Sequence, residues 1–288
     1  MKKFGGISMN VNQQTLLDLM REDVPYFDLT THLLNIGERA CIMEFYTREN
    51  AVLCGSEEVR TICSNVDADV TKFIPSGTAL SANETFFIAE GTFSALNNIS
   101  KVAQNIFEYA SSIATRTNQL QQIARKVNPN ISILTTRKVF PGTKELAIKA
   151  VLSGGAYPHR LGLSETILLF KQHIAFLGGF EMLDKEVKNI RAKDCERKII
   201  IEVESKEEAL QIKSYSIDGI QYDKFSSKEL KETITLMKEI NPHLIHLASG
   251  GVNEQNAAEY ADTGIDGIVT TSVYFGKPTD IGVRFLPV

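Results

Sequence analysis

The sequence predicts an α/β protein in two parts, the second built on a parallel sheet. Three observations predict it. From Ile131 onward, short apolar, β-branched runs alternate with amphipathic stretches of helical period. Those short runs are apolar from end to end, as strands buried on both faces are. The first hundred residues lack this rhythm and mix a helical stretch with short strand-like pieces and turn residues, an α+β pattern.

Taken in order, TLLDLMREDV reads as a helix, RACIMEFYTR and ETFFIAEG as strands, and IPSGTALSAN as a turn region between them. A long helical stretch from Lys101 to about Lys126 connects the two parts. ISILTT is then a strand, and TKELAIKAVLSGG a helix that stops on glycines. TILLF is an apolar run, EMLDKEVKNIRAKD a helix and KIIIEVE a strand. SKEEALQIKSY opens with a serine cap and carries Glu207 and Glu208 in its first turn, where the helix dipole favours them. GIQYD is a strand, and SSKELKETITLMKEI aligns Leu230, Ile234, Met237 and Ile240 on one helical face. LIHLAS, NEQNAAEYADTG and GIVTT complete the series. About six β–α units result, which suits a doubly wound sheet or a barrel short of the usual eight. The final stretch, YFGKPTDIGVRFLPV, leaves the rhythm and is expected to return to the first part.

Composition narrows the function classes. The chain has 288 residues, 43% hydrophobic and 23% charged, with a net charge of −4. That is enough to bury a sizeable core, and both signs of charge are interspersed. No Lys/Arg run or aromatic-interleaved basic stripe suggests nucleic acid as the partner. Cys41, Cys54, Cys63 and Cys195 form no CxxC pair and are expected to be free thiols of a reducing compartment. The N-terminus has no apolar run after its two lysines, and no stretch approaches the roughly 20 apolar residues of a membrane span, so a cytoplasmic address is expected.

The chemistry-bearing residues sit at strand ends, where parallel β/α folds bind ligands. The first strand ends in Thr136, Arg137 and Lys138, the third carries Glu202 and Glu204, and the fourth ends in Asp223. The fifth ends in Ser249, Gly250 and Gly251, and the sixth in Thr270, Thr271 and Ser272. Within 131–173, Arg137, Lys138, His159, Arg160 and His173 bring five basic side chains into an otherwise apolar segment, which points to an anionic ligand. A Ser-Gly-Gly turn before a helix suits a phosphate, although a plain tight turn is equally well written this way. Glu202 and Glu204 alternate, so one is expected to face the rim and the other the solvent. Glu202 with Asp223 suits a ribose or a positively charged sugar transition state. His243 and His246 have no third ligand nearby and read as structural; Arg116 and Arg125 read as surface or interface residues. No Walker loop, GxGxxG, HExxH or GxSxG motif is present.

TTRKVFPGTKELAIKAVLSGGAYPHRLGLSETILLFKQHI resembles the signature of the nicotinate-nucleotide pyrophosphorylase family, also called quinolinate phosphoribosyltransferases. REDVPYFDLTT, ASSIATRT, IEVES and LASGGV are further matches, so the likeness spans nearly the whole chain. It implies an N-terminal α/β sandwich over 1–112 with a return of 274–288, and an open, incomplete α/β barrel over 113–273. It implies a homodimer with a shared active site, and transfer of phosphoribosyl from 5-phosphoribosyl-1-pyrophosphate, with Mg²⁺, to a pyridine nitrogen; quinolinate then loses carbon dioxide. Carried over, Arg137, His159 and Arg160 grip substrate carboxylates and Lys138 reaches a phosphate or carboxylate. Glu202 and Asp223 hold the ribose and its magnesium, while Ser249, Gly250 and Gly251, with Thr271 and Ser272 beside them, take the 5′-phosphate.

The departures from that pattern are Lys101 where the quinolinate enzymes carry an arginine for the neighbouring site, Phe170 where they carry a lysine, Pro158 for an asparagine and Phe27 for a glycine. Lys171, if in a strand, points to the other face. Lysine cannot bind a carboxylate bidentately, and an aromatic ring supplies no charge. These departures resemble the ModD branch of the family, associated with molybdenum transport, and favour an anionic or heteroaromatic acceptor other than quinolinate. A quinolinate phosphoribosyltransferase of NAD biosynthesis and a non-catalytic binding protein on the same scaffold are the alternatives.

Overall fold

The computed structural model describes residue 9 and residues 11–288. The reading of the N-terminus as free of a leader falls largely on residues 1–8 and 10, which lie outside the described residues.

In chain order the elements are α1 (Gln13–Asp23), α2 (Leu29–Leu34), β1 (Ala40–Thr47), β2 (Ala51–Val52), α3 (Ser56–Ser64), β3 (Asp69–Phe73), β4 (Ala79–Leu80), β5 (Thr85–Thr92) and α4 (Phe93–Val127). There follow β6 (Ser132–Thr135), α5 (Lys144–Ser153), β7 (Tyr157–Pro158), β8 (Ile167–Leu169), α6 (Lys171–Leu177), α7 (Phe180–Lys193), β9 (Ile199–Val203) and α8 (Lys206–Gln211). The chain ends with β10 (Gly219–Asp223), α9 (Ser227–Ile240), β11 (Ile245–Ser249), α10 (Ala257–Ala261), β12 (Gly267–Thr270) and β13 (Ile281–Pro287). They form two compact units: Met1–Asn118 with Val139–Gly155 and Tyr274–Val288, and Gln119–Lys138 with Ala156–Val273.

The first unit is built on a four-stranded antiparallel sheet in the order β13-β1-β5-β3. The sequence's last strand-like stretch enters it as β13, paired along β1 from Thr47↔Ile281 to Cys41↔Pro287. Alternate residues of β1, among them Met43 and Phe45, are buried. α4 lays Leu96, Ile99, Ala103 and Phe107 against the same core, a spacing of three or four that keeps one helical face inward. Phe107 meets Phe45 at 5.1 Å and Phe86 at 4.9 Å between ring centroids. α4 begins eight residues before Lys101 because burial of Leu96 and Ile99 outweighs the weak helix propensity of its Ser- and Asn-rich start. α5, read from sequence as part of the β–α series, belongs to this unit. Its buried Lys149 closes on Glu57 (2.8 Å) and Glu58 (2.6 Å) of α3. α3 was not read from the sequence, although acidic first-turn residues and Val59, Ile62 and Cys63 at helical spacing mark it.

The second unit is a seven-stranded, wholly parallel sheet in the order β7-β6-β12-β11-β10-β9-β8. Chain order runs around it without a reversal, and the edge strands β7 and β8 do not pair with each other. It is therefore an open barrel rather than a doubly wound sheet. β7, at only two residues, escaped the sequence reading. Leu168, Ile200, Leu247 and Val269 form an apolar interior layer, with Leu134, Ile245 and Phe170 against it. α10 is shorter than NEQNAAEYADTG suggested, because Asn253 and Asn256 bond to backbone amides at its start instead of extending the helix.

Candidate functional site

The site is a direct consequence of strand alternation. Side chains two positions apart in a strand share a face. Two residues beyond the interior apolar layer, at Leu134, Leu168, Ile200, Leu247 and Val269, lie Thr136, Phe170, Glu202, Ser249 and Thr271. On β10 the same face carries Gln221 and then Asp223. All seven line one cavity of about 580 Å³, together with Arg137, Lys138, His159, Arg160, Lys224, Gly250, Gly251 and Ser272. The apolar layer closes the barrel below, and the polar residues one step higher face the open end.

Hydrogen bonds tie the strands' ends together. Gln221 Nε2 donates to Glu202 Oε2 across β10 and β9 at 2.6 Å, in register. Ser249 Oγ donates to Asp223 Oδ1 at 3.0 Å, again between paired residues. Thr136 and Thr271 hydroxyls meet at 2.8 Å. Thr270 Oγ1 donates to Val252 O (2.6 Å) and accepts from Ser272 N (3.0 Å), pinning the two loops after β11 and β12. Gly250 and Gly251 both have left-handed backbone, φ 82° and 87°. At Gly250 a Cβ would stand 2.6 Å from Asp223 Oδ1 and 2.7 Å from Lys224 N, so only glycine fits.

Charges of both signs line the cavity, and Lys224 Nζ lies 3.4 Å from Asp223 Oδ2. Arg137, His159 and Arg160 are cationic or basic, and Glu202 and Asp223 acidic. Arg160 is only 8% exposed, forms no ion pair among the described residues, and lies over the Phe170 ring at 5.5 Å. Burial, and then the like charge of Arg137, weaken its hold on its proton. Burial, with Arg160 adding to it, pushes His159 down to about 4. Burial raises the Glu202 carboxyl; the Gln221 bond opposes this, and the Asp223 and Glu204 charges reinforce it. The crowding of Arg137 with Arg160, and of Glu202 with Asp223, carries an electrostatic cost that a ligand of opposite charge relieves, although Lys138 offsets part of it at Glu202.

Of the residues singled out from sequence, Lys138, Glu202, Asp223, Arg137, His159, Arg160, Ser249, Gly250, Gly251, Thr271 and Ser272 come together here. Lys101 does not line the cavity; it lies on α4 in the first unit, its Nζ donating to Gln104 at 2.8 Å. His173 is held away by its Nδ1, which accepts from Phe170 N at 2.9 Å. Lys171 corrects the sequence reading: it opens α6 instead of continuing a strand, and pairs with Glu204 at 2.8 Å. Of the alternating pair, Glu202 lines the cavity and Glu204 faces solvent, one residue past the end of β9. His246 is wholly buried against Tyr222, and His243 lines no cavity described here. Sequence reasoning missed Gln221, although the strand period places it on Asp223's face.

Comparison with known proteins gives this arrangement a family. The chain matches the family models for the N-terminal domain of quinolinate phosphoribosyl transferase over residues 28–111 and for its C-terminal domain over 113–284. It is similar to a protein of Escherichia coli O157:H7 named "Putative pyrophosphorylase ModD", with 30% identity over 96% of this chain and 98% of that one. A protein of the same name from Rhodobacter capsulatus is 35% identical over 86% of this chain and 95% of its own. Among solved structures, NadC from Streptococcus pyogenes superposes with a TM-score of 0.87 at 23% identity, covering 98% and 100% of the two chains, a likeness of fold. The two-unit architecture, the open parallel barrel and both family models agree: the chain belongs to the quinolinate phosphoribosyl transferase family of pentosyltransferases.

Proposed function

We propose that this protein transfers the phosphoribosyl group of 5-phosphoribosyl-1-pyrophosphate to a small anionic, heteroaromatic acceptor. The observation that carries the reading is one cavity that brings together Arg137, His159 and Arg160, the carboxylates of Glu202 and Asp223, and a glycine turn suited to phosphate. Arg137, His159 and Arg160 bind the acceptor's acidic group through charge-assisted hydrogen bonds. The backbone N–H groups of Ser249, Gly250 and Gly251, with the hydroxyls of Thr271 and Ser272, hold the 5′-phosphate. Lys138 reaches the departing pyrophosphate. The acceptor nitrogen bonds to the sugar carbon as the carbon–oxygen bond to pyrophosphate breaks, and the carboxylates of Glu202 and Asp223 stabilise the positive charge that develops on the ribose.

Mg²⁺ suits the donors present. Glu202 and Asp223 offer hard oxygen, and among the described residues no group of three or more His, Cys, Asp or Glu is arranged as a complete metal cage. Mg²⁺ takes one or two carboxylates and fills its remaining positions from substrate phosphates and water. When bound, it neutralises charge on the pyrophosphate.

Phe170 in the cavity wall supports an acceptor other than a pyridine dicarboxylate, because it contributes a ring and no charge. The ModD name of the relatives fits that reading, and an association with molybdenum transport follows from it as an expectation. The basic trio supports the second reading, quinolinate transfer in NAD biosynthesis. A homodimer is part of the proposal: Tyr26, Phe27, Leu29, Leu33 and Leu34 are all more than half exposed, an apolar patch that association would cover. Four free cysteines suit a reducing cytoplasm, and no described helix is long and apolar enough to cross a membrane.

Thermal-shift measurement with 5-phosphoribosyl-1-pyrophosphate and Mg²⁺ tests the proposal. Ligand at about 100 times its dissociation constant adds roughly 2.7 kcal/mol of stability. The melting temperature is expected to rise in the native protein and to rise less in Asp223→Ala. No rise at millimolar ligand overturns the proposal. A metabolite screen with the same donor then names the acceptor.

A further inference from the structure

We propose that Gln221 is a positioning residue that holds the Glu202 carboxylate toward the sugar side of the cavity. The inference rests on the phosphoribosyl-transfer reading for its consequence, not for its geometry. Gln221 is 4% exposed and sits in the barrel interior, one step below Asp223 on the same face of β10. Its register partner on β9 is Glu202. Its Nε2 donates to Glu202 Oε2 at 2.6 Å, and no other described residue bonds that carboxylate. Its own Oε1 is buried without a partner.

That orphaned oxygen is the informative detail. A residue kept only to fill the interior would be apolar, like Leu168, Ile200, Leu247 and Val269 beside it. A carboxamide there leaves one acceptor unsatisfied, a cost its bond to Glu202 has to offset. The reverse orientation of the amide would set two oxygens against each other and bury two N–H donors. Gln221 therefore has one orientation compatible with an ionised Glu202. That bond occupies one carboxylate oxygen and leaves the other for the cavity. Glu202 has three rotatable bonds, and the hydrogen bond from Gln221 fixes its carboxylate. A preorganised carboxylate binds without first being ordered, which is where affinity is gained.

A double-mutant cycle on Gln221 and Glu202 decides it, read by calorimetric binding of 5-phosphoribosyl-1-pyrophosphate with Mg²⁺. The near-isosteric Gln221→Met is expected to weaken binding about tenfold or more, as loss of a charge-assisted hydrogen bond does. In a Glu202→Gln background the same substitution is expected to change binding less than about twofold, because Gln221 acts through the carboxylate. Independent, multiplying effects, or native affinity in Gln221→Met, overturn the proposal. Side-chain NMR of the ligand-free protein reads the same question without the donor. Glu202 methylenes are expected to be rigid in the native protein and averaged over rotamers in Gln221→Met. Equal rigidity in both overturns the inference, whereas absent binding with the expected NMR difference overturns only the phosphoribosyl-transfer reading.

Discussion

On the proposed function, Phe170 is the residue that sets acceptor choice. Its ring lines the cavity and carries the Arg160 guanidinium at 5.5 Å. Phe170→Lys is expected to raise quinolinate turnover about 10- to 100-fold, since a charge-assisted contact contributes about 1.5–3 kcal/mol. The same substitution gathers a third cation beside Arg137 and Arg160, so the ligand-free variant is expected to melt lower than the native protein. Steady-state kinetics and a melting curve read both effects; fast native turnover of quinolinate that falls in Phe170→Lys would reverse the assignment of the acceptor. A second prediction concerns His246. It is fully buried, stacked on Tyr222 and bonded to its hydroxyl at 2.9 Å, and burial pushes it down to about 4. Between about 6.5 and 4 the unfolded chain binds a proton there that the folded chain does not, so stability falls as pH drops through that window. The full effect is about 3 kcal/mol. Urea unfolding from pH 7 to 4 should show this loss, and a shallower one in His246→Phe; identical slopes would remove His246 as its source.

Among elements, the turn from β11 toward α10 carries the most specific demand. Both its glycines have left-handed backbone, but they differ in surroundings. A Cβ at Gly250 meets Asp223 and the Lys224 backbone, whereas one at Gly251 meets nothing within 4 Å. Gly251→Ala is therefore expected to cost only backbone strain, on the order of 1–2 kcal/mol. Gly250→Ala must also displace Asp223, and is expected to lose binding of 5-phosphoribosyl-1-pyrophosphate at least tenfold more than Gly251→Ala does. Comparing the two dissociation constants by calorimetry checks this; equal losses would show that the contact with Asp223 does not matter. Strands of this kind were legible from sequence because period and burial speak locally. β7 was not, because two residues carry no period, and α10 was overextended because Asn253 and Asn256 compete for the backbone at its start.

At the scale of the whole molecule, the exposed apolar patch from Tyr26 to Leu34 predicts self-association. Light scattering at micromolar concentration is expected to give a dimer or larger, and Leu33→Glu with Leu34→Glu to shift it toward monomer. A native protein that is monomeric and fully active would exclude a shared site. Residue order by itself determined the alternation of strands and helices, the parallel character of the second sheet, and which residue types close each strand, because these follow from periods of 2 and 3.6 and from side-chain chemistry. It also marked Arg137, Lys138, Glu202, Asp223 and the Ser-Gly-Gly turn by their strands, and His159 and Arg160 by the basic segment they share with Arg137. Only the tertiary structure decided that the sheet stays open between its edge strands β7 and β8, that α5 joins the first unit through Lys149, and that β13 pairs with β1 across more than two hundred residues. Those outcomes depend on partners distant in sequence, and no local pattern names a partner. Gln221 shows the same divide within the site: alternation states its face, but its bond to Glu202 exists only because β10 lies beside β9 in that register.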